Sequence, residues 1–419
     1  MLQARRRRPH YYLCRENPGQ QAYAVTRRSL RFESTFFPRK AVEFGGRGTG
    51  NLNVCSTLAD GSCVVPQELR QYIDLLNERG ALVRVSRRVD WKYEIGTLTR
   101  KAKAPLLFET IVDYPEASVF TNGLSSRDCF ALCLGLDPRR TNWGDLVRRV
   151  RRGRVPIKPT PSKLSAVLRE RRGSGVDLYA LPTPWWHRAD AKRYIGTWHI
   201  NITRDPVTGI ENAGVYRMKV LDEKHTTVSV SPKSHLAQHV KEAERRGEPL
   251  AMAVAVGVAE PVVIAAAAAL NRGENELAFA GGLMGRPLEV QNGDLCDLPV
   301  PSNAEVYMEG ELLLNTRVSD GPYMDYAGIP NVNPHAHVYR VGRLAWRKDV
   351  IFRGTSVGEP GGEDHLLFAL LAAANLADFH GSVVRKIIQN FLLRLRLFRL
   401  LQATGVFSQR LRGKVPAKK

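Results

Sequence analysis

Gly196-Thr197-Trp198-His199-Ile200-Asn201-Ile202-Thr203 alternates side-chain character at a period of two, and Thr227-Val228-Ser229-Val230 does so again. Between them Asp205-Pro206-Val207-Thr208-Gly209 is a turn signal. Residues 194–235 therefore read as a β-rich block. Working outward, Leu236–Arg246 has helical spacing. Ala251 to Leu270 carries a single charge, Glu260, and Glu260-Pro261 divides it into a Val-rich and an Ala-rich half. Each half is about ten residues, too short for a membrane span, so a buried strand followed by a buried helix is expected. Further strands are expected at 304–318 and 336–353. Upstream, Gln67–Leu76 is helical in its spacing, Gly80 stands where a C′ glycine would end that helix, and Ala81–Val85 reads as a strand. Residues 66–180 alternate short helices and strands and include a basic, linker-like run, 147–158. The fold class is α+β, an N-terminal α/β domain (66–180) followed by a β-rich domain (181–376).

The chain has 419 residues with 62 basic and 41 acidic side chains, a net charge of +21. Residues 1–65 carry +7 and residues 377–419 carry +9, leaving +5 on the stretch between. A nucleic-acid partner would need a basic face on the folded part. The near balance there, with no binding motif, argues against one. The six cysteines include no CxxC, and Cys129 and Cys133 sit in an apolar run that reads as a buried helix face. That usage suits a reducing cytoplasm.

Four local clusters can carry chemistry. Glu211-Asn212-Ala213-Gly214-Val215-Tyr216-Arg217 puts an amide and a guanidinium five residues apart. A regular strand would point them to opposite faces unless Gly214 kinks it. Ser229-Val230-Ser231-Pro232-Lys233-Ser234-His235 ends where a helix begins, and reads either as a phosphate cradle or as capping by Ser234. Glu276, before a small apolar run, reads as a solvated helix start. In Ser319-Asp320-Gly321-Pro322-Tyr323-Met324-Asp325-Tyr326 the Gly-Pro pair is expected to turn the chain with a carboxylate on either side, a pairing that can divide acid and base roles. Together Asn212, His235 and Glu276 offer O, N and O donors, a set suited to Mg²⁺ or Mn²⁺.

The form and order of Asn212–Arg217, Glu276–Gly281, Val300–Glu305 and Asp320–Asp325 resemble the UbiD decarboxylase family, collinearly from about Pro66 to Asn375. The resemblance implies reversible removal of CO₂ from aromatic or α,β-unsaturated carboxylic acids. It implies prenylated FMN supplied by a partner flavin prenyltransferase, and a split β-barrel of the flavin-reductase type. It also implies manganese or another divalent ion bridging the cofactor phosphate to the protein, with K⁺ nearby, and homo-oligomers. Carried over by position, Asn212, His235 and Glu276 would hold the metal. Val215, Tyr216, Arg217, Ser229, Val230, Ser231, Ser234 and His235 would line the cofactor. Arg217 would face the substrate carboxylate, Asp320 would pair with it, and Asp325 would be the proton donor. Many relatives carry Glu where this chain has Asp320.

The ends match nothing in the family. Residues 1–65, opening with Arg5-Arg6-Arg7-Arg8, read as a disordered or non-native extension, with an organellar transit peptide as the alternative. Residues 377–419 read as a basic, non-family tail where relatives add a C-terminal α/β domain. A frameshift or fusion would produce that switch, and an unstable or weakly active chain is then expected. The competing functional reading is a non-catalytic flavin-binding or scaffold remnant of the same family.

Overall fold

The computed structural model describes residues 64–162 and 168–375. The readings of the two ends lie outside them, residues 64 and 65 apart.

The first elements are α1 (Leu69–Glu78), β1 (Val83–Val89), α2 (Glu94–Lys101), β2 (Leu106–Ile111), β3 (Ser118–Thr121), α3 (Arg127–Cys133) and α4 (Trp143–Gly153). Then come β4 (Thr160–Pro161), β5 (Leu168–Arg172), β6 (Tyr194–Gly196), β7 (His199–Arg204), β8 (Glu211–Gly214), β9 (Met218–Lys219) and β10 (His225–Val228). The remainder are α5 (His235–Arg246), β11 (Leu250–Val256), α6 (Glu260–Ala266), α7 (Glu276–Met284), β12 (Glu289–Asn292), β13 (Pro299–Pro301), β14 (Val306–Met324), β15 (Pro330–Arg347), β16 (Ile351–Arg353) and α8 (Glu363–Asn375).

The α+β class holds. A seven-stranded sheet runs β10-β15-β14-β11-β7-β8, with β5 added on β15. β11 is buried along almost its whole length, as a Val- and Ala-rich central strand should be, and α6 follows it as a buried helix. Among the described residues no helix is long and apolar enough to cross a membrane. Cys129 and Cys133 lie buried on α3.

A four-stranded sheet, β1-β2-β3-β16, mixes N-terminal strands with one from late in the chain. β16 pairs parallel to β3, and this return places the start of α8 close to the N-terminal strands.

Two expectations fail. Residues 147–153 are not linker but the second half of α4. A capping box, Asn142 with Asp145, starts that helix, and it buries Leu146, Val147 and Val150 while Arg148, Arg151 and Arg152 face outward and Arg149 donates to the Leu134 and Leu283 carbonyls. Nor does Gly321-Pro322 end a strand. β14 continues through it to Met324, with pairing to β15 interrupted by register shifts around Asp320. The reversal comes after Asp325, where Gly328 adopts a positive φ of 72° and donates its N–H to the Asp325 carbonyl.

Candidate active site

A cavity of about 340 Å³ opens where β6, the end of β8, α6, the β14–β15 reversal and α8 converge. Trp198, Val263, Ala266, Leu367 and Phe368 make its wall largely apolar, and the charged residues lining it are Arg217, Asp325 and Asp364.

Arg217 lies just past β8. Ending the strand at Gly214 frees it from the alternation, so it reaches the cavity while Asn212 lies elsewhere. Its Nε donates to Asp320 Oδ2 at 2.7 Å, so the short carboxylate does reach the guanidinium. Asp320 is fully enclosed, and its other oxygen accepts the Tyr194 hydroxyl at 2.9 Å. Burial and that carboxylate push the Tyr194 hydroxyl far up, so it stays a donor. The guanidinium also sits 5.0 Å from the Tyr323 ring centroid. Its Nη2 is buried with no hydrogen-bond partner. Asp325 also borders the cavity, where its Oδ1 accepts the Ala327 N–H at 2.9 Å and the Ile329 N–H at 3.3 Å. Val215 and Tyr216 line the same cavity.

Asn212, His235 and Glu276 come together. His235 Nδ1 is 3.0 Å from Asn212 Oδ1 and 3.9 Å from Glu276 Oε1. Glu276 is not the solvated helix start its sequence suggests. It is buried at the head of α7, and its Oε2 accepts the Ala213 N–H at 2.9 Å. Burial lifts its carboxyl to about 7. Asn212 Nδ2 is buried without a partner. Among the described residues no group of three or more His, Cys, Asp and Glu could hold a metal, so an ion here would take the Asn212 amide as its third donor. Two oxygens and an imidazole fit a hard divalent cation, and the unpaired amide fits a group not yet supplied.

The serine run divides. Ser234 caps α5, accepting the Ala237 N–H and donating to the Ser231 carbonyl. Ser229 Oγ accepts from Asn333 Nδ2 at 3.0 Å, and Val230 packs against the core. Ser229, Val230, Ser231, Ser234 and His235 do not border the 340 Å³ cavity.

Comparison with known proteins decides the family. Residues 160–360 match the model of the 3-octaprenyl-4-hydroxybenzoate carboxy-lyase Rift-related domain, and residues 73–149 that of the same enzyme's N-terminal domain. The chain belongs to the UbiD family. Among its relatives is the pyrrole-2-carboxylic acid decarboxylase of Pseudomonas aeruginosa, 29% identical over 74% of this chain and 66% of that protein. The phenolic acid decarboxylase of Bacillus subtilis is 27% identical over 70% of this chain and 64% of that protein. An evolved dimeric form of the UbiD-class enzyme HmfF from Pelotomaculum thermopropionicum, solved in complex with prFMN, superposes with a TM-score of 0.68. It is 28% identical over 74% of this chain and 71% of that one. This UbiD-family chain thus spans just under two thirds of those two curated relatives.

Three features in and around the cavity went unread in the sequence. Arg353 of β16 lies between Glu260 and Glu363, all at most 1% exposed. Its Nε donates to Glu260 Oε1 at 2.8 Å and its Nη2 to Glu363 Oε2 at 2.6 Å. Trp198, a cavity wall, donates to Glu260 Oε2 at 2.8 Å, which ties the wall to this triad. Asp190 is buried behind Met324, accepting its N–H at 2.8 Å and that of His187 at 3.0 Å, and burial lifts it to about 6. Asp364, at the start of α8, borders the cavity. Nothing local marks these residues, because their partners are distant in sequence or are backbone N–H groups.

Proposed function

We propose that this chain is a UbiD-like decarboxylase, removing CO₂ reversibly and without net oxidation from an aromatic or α,β-unsaturated carboxylic acid. In this reading prenylated FMN comes from a partner flavin prenyltransferase, Mn²⁺ is held by Asn212, His235 and Glu276, and K⁺ sits nearby. The seven-stranded sheet serves as the split barrel of the flavin-reductase type, with six strands in the cofactor domain (181–376) and the seventh, β5, contributed from the N-terminal α/β domain (66–180). Asn212, Val215, Tyr216, Arg217, Ser229, Val230, Ser231, Ser234, His235 and Glu276 are the proposed cofactor contacts.

The observation that carries the reading is the buried Arg217 guanidinium, anchored through Nε to Asp320 and unpartnered at Nη2, on the wall of an apolar cavity. Such a group grips one carboxylate and has little other use for its free edge. Asp320 orients it. The apolar wall excludes water and strengthens the grip. Prenylated FMN, when bound, supplies the electron sink for the electrons left by departing CO₂. Asp325 holds the proton that replaces CO₂ on the substrate carbon.

The test is CO₂ release from a panel of aromatic and cinnamate-type acids by the full chain co-expressed with a flavin prenyltransferase. Asp325→Asn should abolish release while the cofactor still binds, and unchanged turnover would remove the assignment. A wild-type chain that binds the flavin and releases no CO₂ from any acid would favour the scaffold reading.

A further inference from the structure

We propose that Asp190 and Lys219 are positioning residues, a surrogate edge that fixes the two ends of the segment carrying Asp320 and Asp325. This rests on the decarboxylase reading and deepens it.

β14 pairs with β11 only from Val306 to Leu312, and its pairing with β15 slips on both sides of Asp320. Residues 319–325 therefore lack a continuous ladder. Yet they hold both the carboxylate that anchors Arg217 and the one proposed to hold the proton. Backbone polar groups in such a segment need partners from elsewhere. Three come from outside the seven-stranded sheet. Lys219 Nζ donates to the Ser319 carbonyl at 2.7 Å, the Ala191 N–H donates to the Pro322 carbonyl at 2.8 Å, and Asp190 Oδ1 accepts the Met324 N–H at 2.8 Å.

Two of these partners are ionisable groups deep in the protein. Lys219 is 6% exposed and Asp190 4%. Burying a charge is unfavourable unless it is well hydrogen-bonded, and a charged partner makes a stronger bond to main chain than a neutral one. Both are themselves held in place. Asp190 Oδ2 accepts the His187 N–H at 3.0 Å, and its carbonyl accepts Trp185 Nε1 at 3.0 Å. The Lys219 N–H donates to Thr227 Oγ1 at 3.1 Å.

The two ends carry different duties. Lys219 grips the residue before Asp320, and so fixes the carboxylate that aims the Arg217 guanidinium. Asp190 grips the residue before Asp325, and so fixes the reach of the proton-bearing carboxyl. A misplacement of about 1 Å at a reacting group can lower a rate on the order of a hundredfold. Loss of Asp190 should therefore act on turnover, and loss of Lys219 on the hold on substrate.

The experiment is steady-state CO₂ release, in H₂O and in D₂O, by the full chain co-expressed with a flavin prenyltransferase, with melting temperatures taken alongside. Asp190→Asn keeps an oxygen for only one of the two N–H groups. Its kcat should fall at least about tenfold with KM within about twofold, and the loss should grow in D₂O as proton delivery becomes the slow step. Lys219→Met should raise KM at least about tenfold with kcat within about twofold. Lys219→Arg keeps a donor for Ser319 and should bring KM back to within about threefold of wild type. Merely structural roles would lower the active fraction of both variants alike, so that kcat falls in each with KM unmoved and no added D₂O effect. That result, or unchanged kinetics in both variants, overturns this inference and leaves the decarboxylase reading standing. A wild-type chain that releases no CO₂ from any acid overturns both.

Discussion

The Arg217–Asp320 pair can be tested by a double-mutant cycle. Asp320 is fully enclosed and Arg217's side chain is 16% exposed, with 2.7 Å between Nε and Oδ2. Removing one partner of a buried ion pair costs about 3–5 kcal/mol, because the other charge is stranded. Asp320→Asn strands Arg217, which the cavity partly hydrates, so the lower end, about 3 kcal/mol, applies. The asparagine still accepts from Tyr194, so that bond adds nothing to the loss. Arg217→Met strands the fully enclosed Asp320, and the upper end applies. Arg217→Met with Asp320→Asn leaves no charge at all and should cost less than either single change. The coupling should exceed about 2 kcal/mol in favour of the double variant. Urea unfolding of the full chain at pH 7.5, followed by tryptophan fluorescence, measures all four proteins. Additivity within about 0.5 kcal/mol would refute the reasoning, since independent sites behave that way.

Asp190 gives a pH signature. Its carboxyl is lifted from 3.8 to about 6, so its contribution to stability is complete below about pH 4 and is lost as pH rises through 6. Two units correspond to about 3 kcal/mol. Asp190→Asn should therefore gain on the wild type between pH 4 and 7, after an initial loss of about 1 kcal/mol for one N–H left without an acceptor. Parallel stability curves would count against it. Glu276→Gln keeps an oxygen for the Ala213 N–H but removes the charge, and should weaken Mn²⁺ binding at least about tenfold by paramagnetic resonance titration. Unchanged affinity would put the ion elsewhere. Gly214→Ala would bring a methyl to 2.5 Å from the Tyr216 ring. It should cost about 1–3 kcal/mol and weaken flavin binding, and a fully stable variant with normal flavin affinity would show that Tyr216 is free to move.

Strand periodicity located β7 and β10, and the split of residues 251–270 into strand and helix followed from one Glu-Pro. Those readings rest on local patterns, and the core honours them. The failures share a cause. Residues 147–153 looked like linker because arginines outnumber apolar residues there, yet three buried positions at helical spacing were enough. Glu276 looked solvated because nothing near it in sequence marks the Ala213 N–H that receives it. Gly321-Pro322 looked like a turn because the long pairing of β14 with β15, which carries the chain through it, is non-local.

Charge shows most clearly where composition stops informing function. The chain's +21 sits largely on its two ends, whereas the cavity is lined by one arginine and two aspartates, with Asp320 directly behind. A carboxylic acid of the proposed kind would therefore meet more acidic than basic lining side chains. Surface charges more than about 10 Å away are screened at ordinary salt and cannot supply the attraction. In the proposed reading the grip comes from the Arg217 Nη2, and Asp320, itself held by Tyr194, orients the guanidinium. Asp320 thus reaches the guanidinium in spite of its short side chain. Strand β14 brings its Cα close enough for a 2.7 Å bond to Nε, and Nη2 is left without a partner.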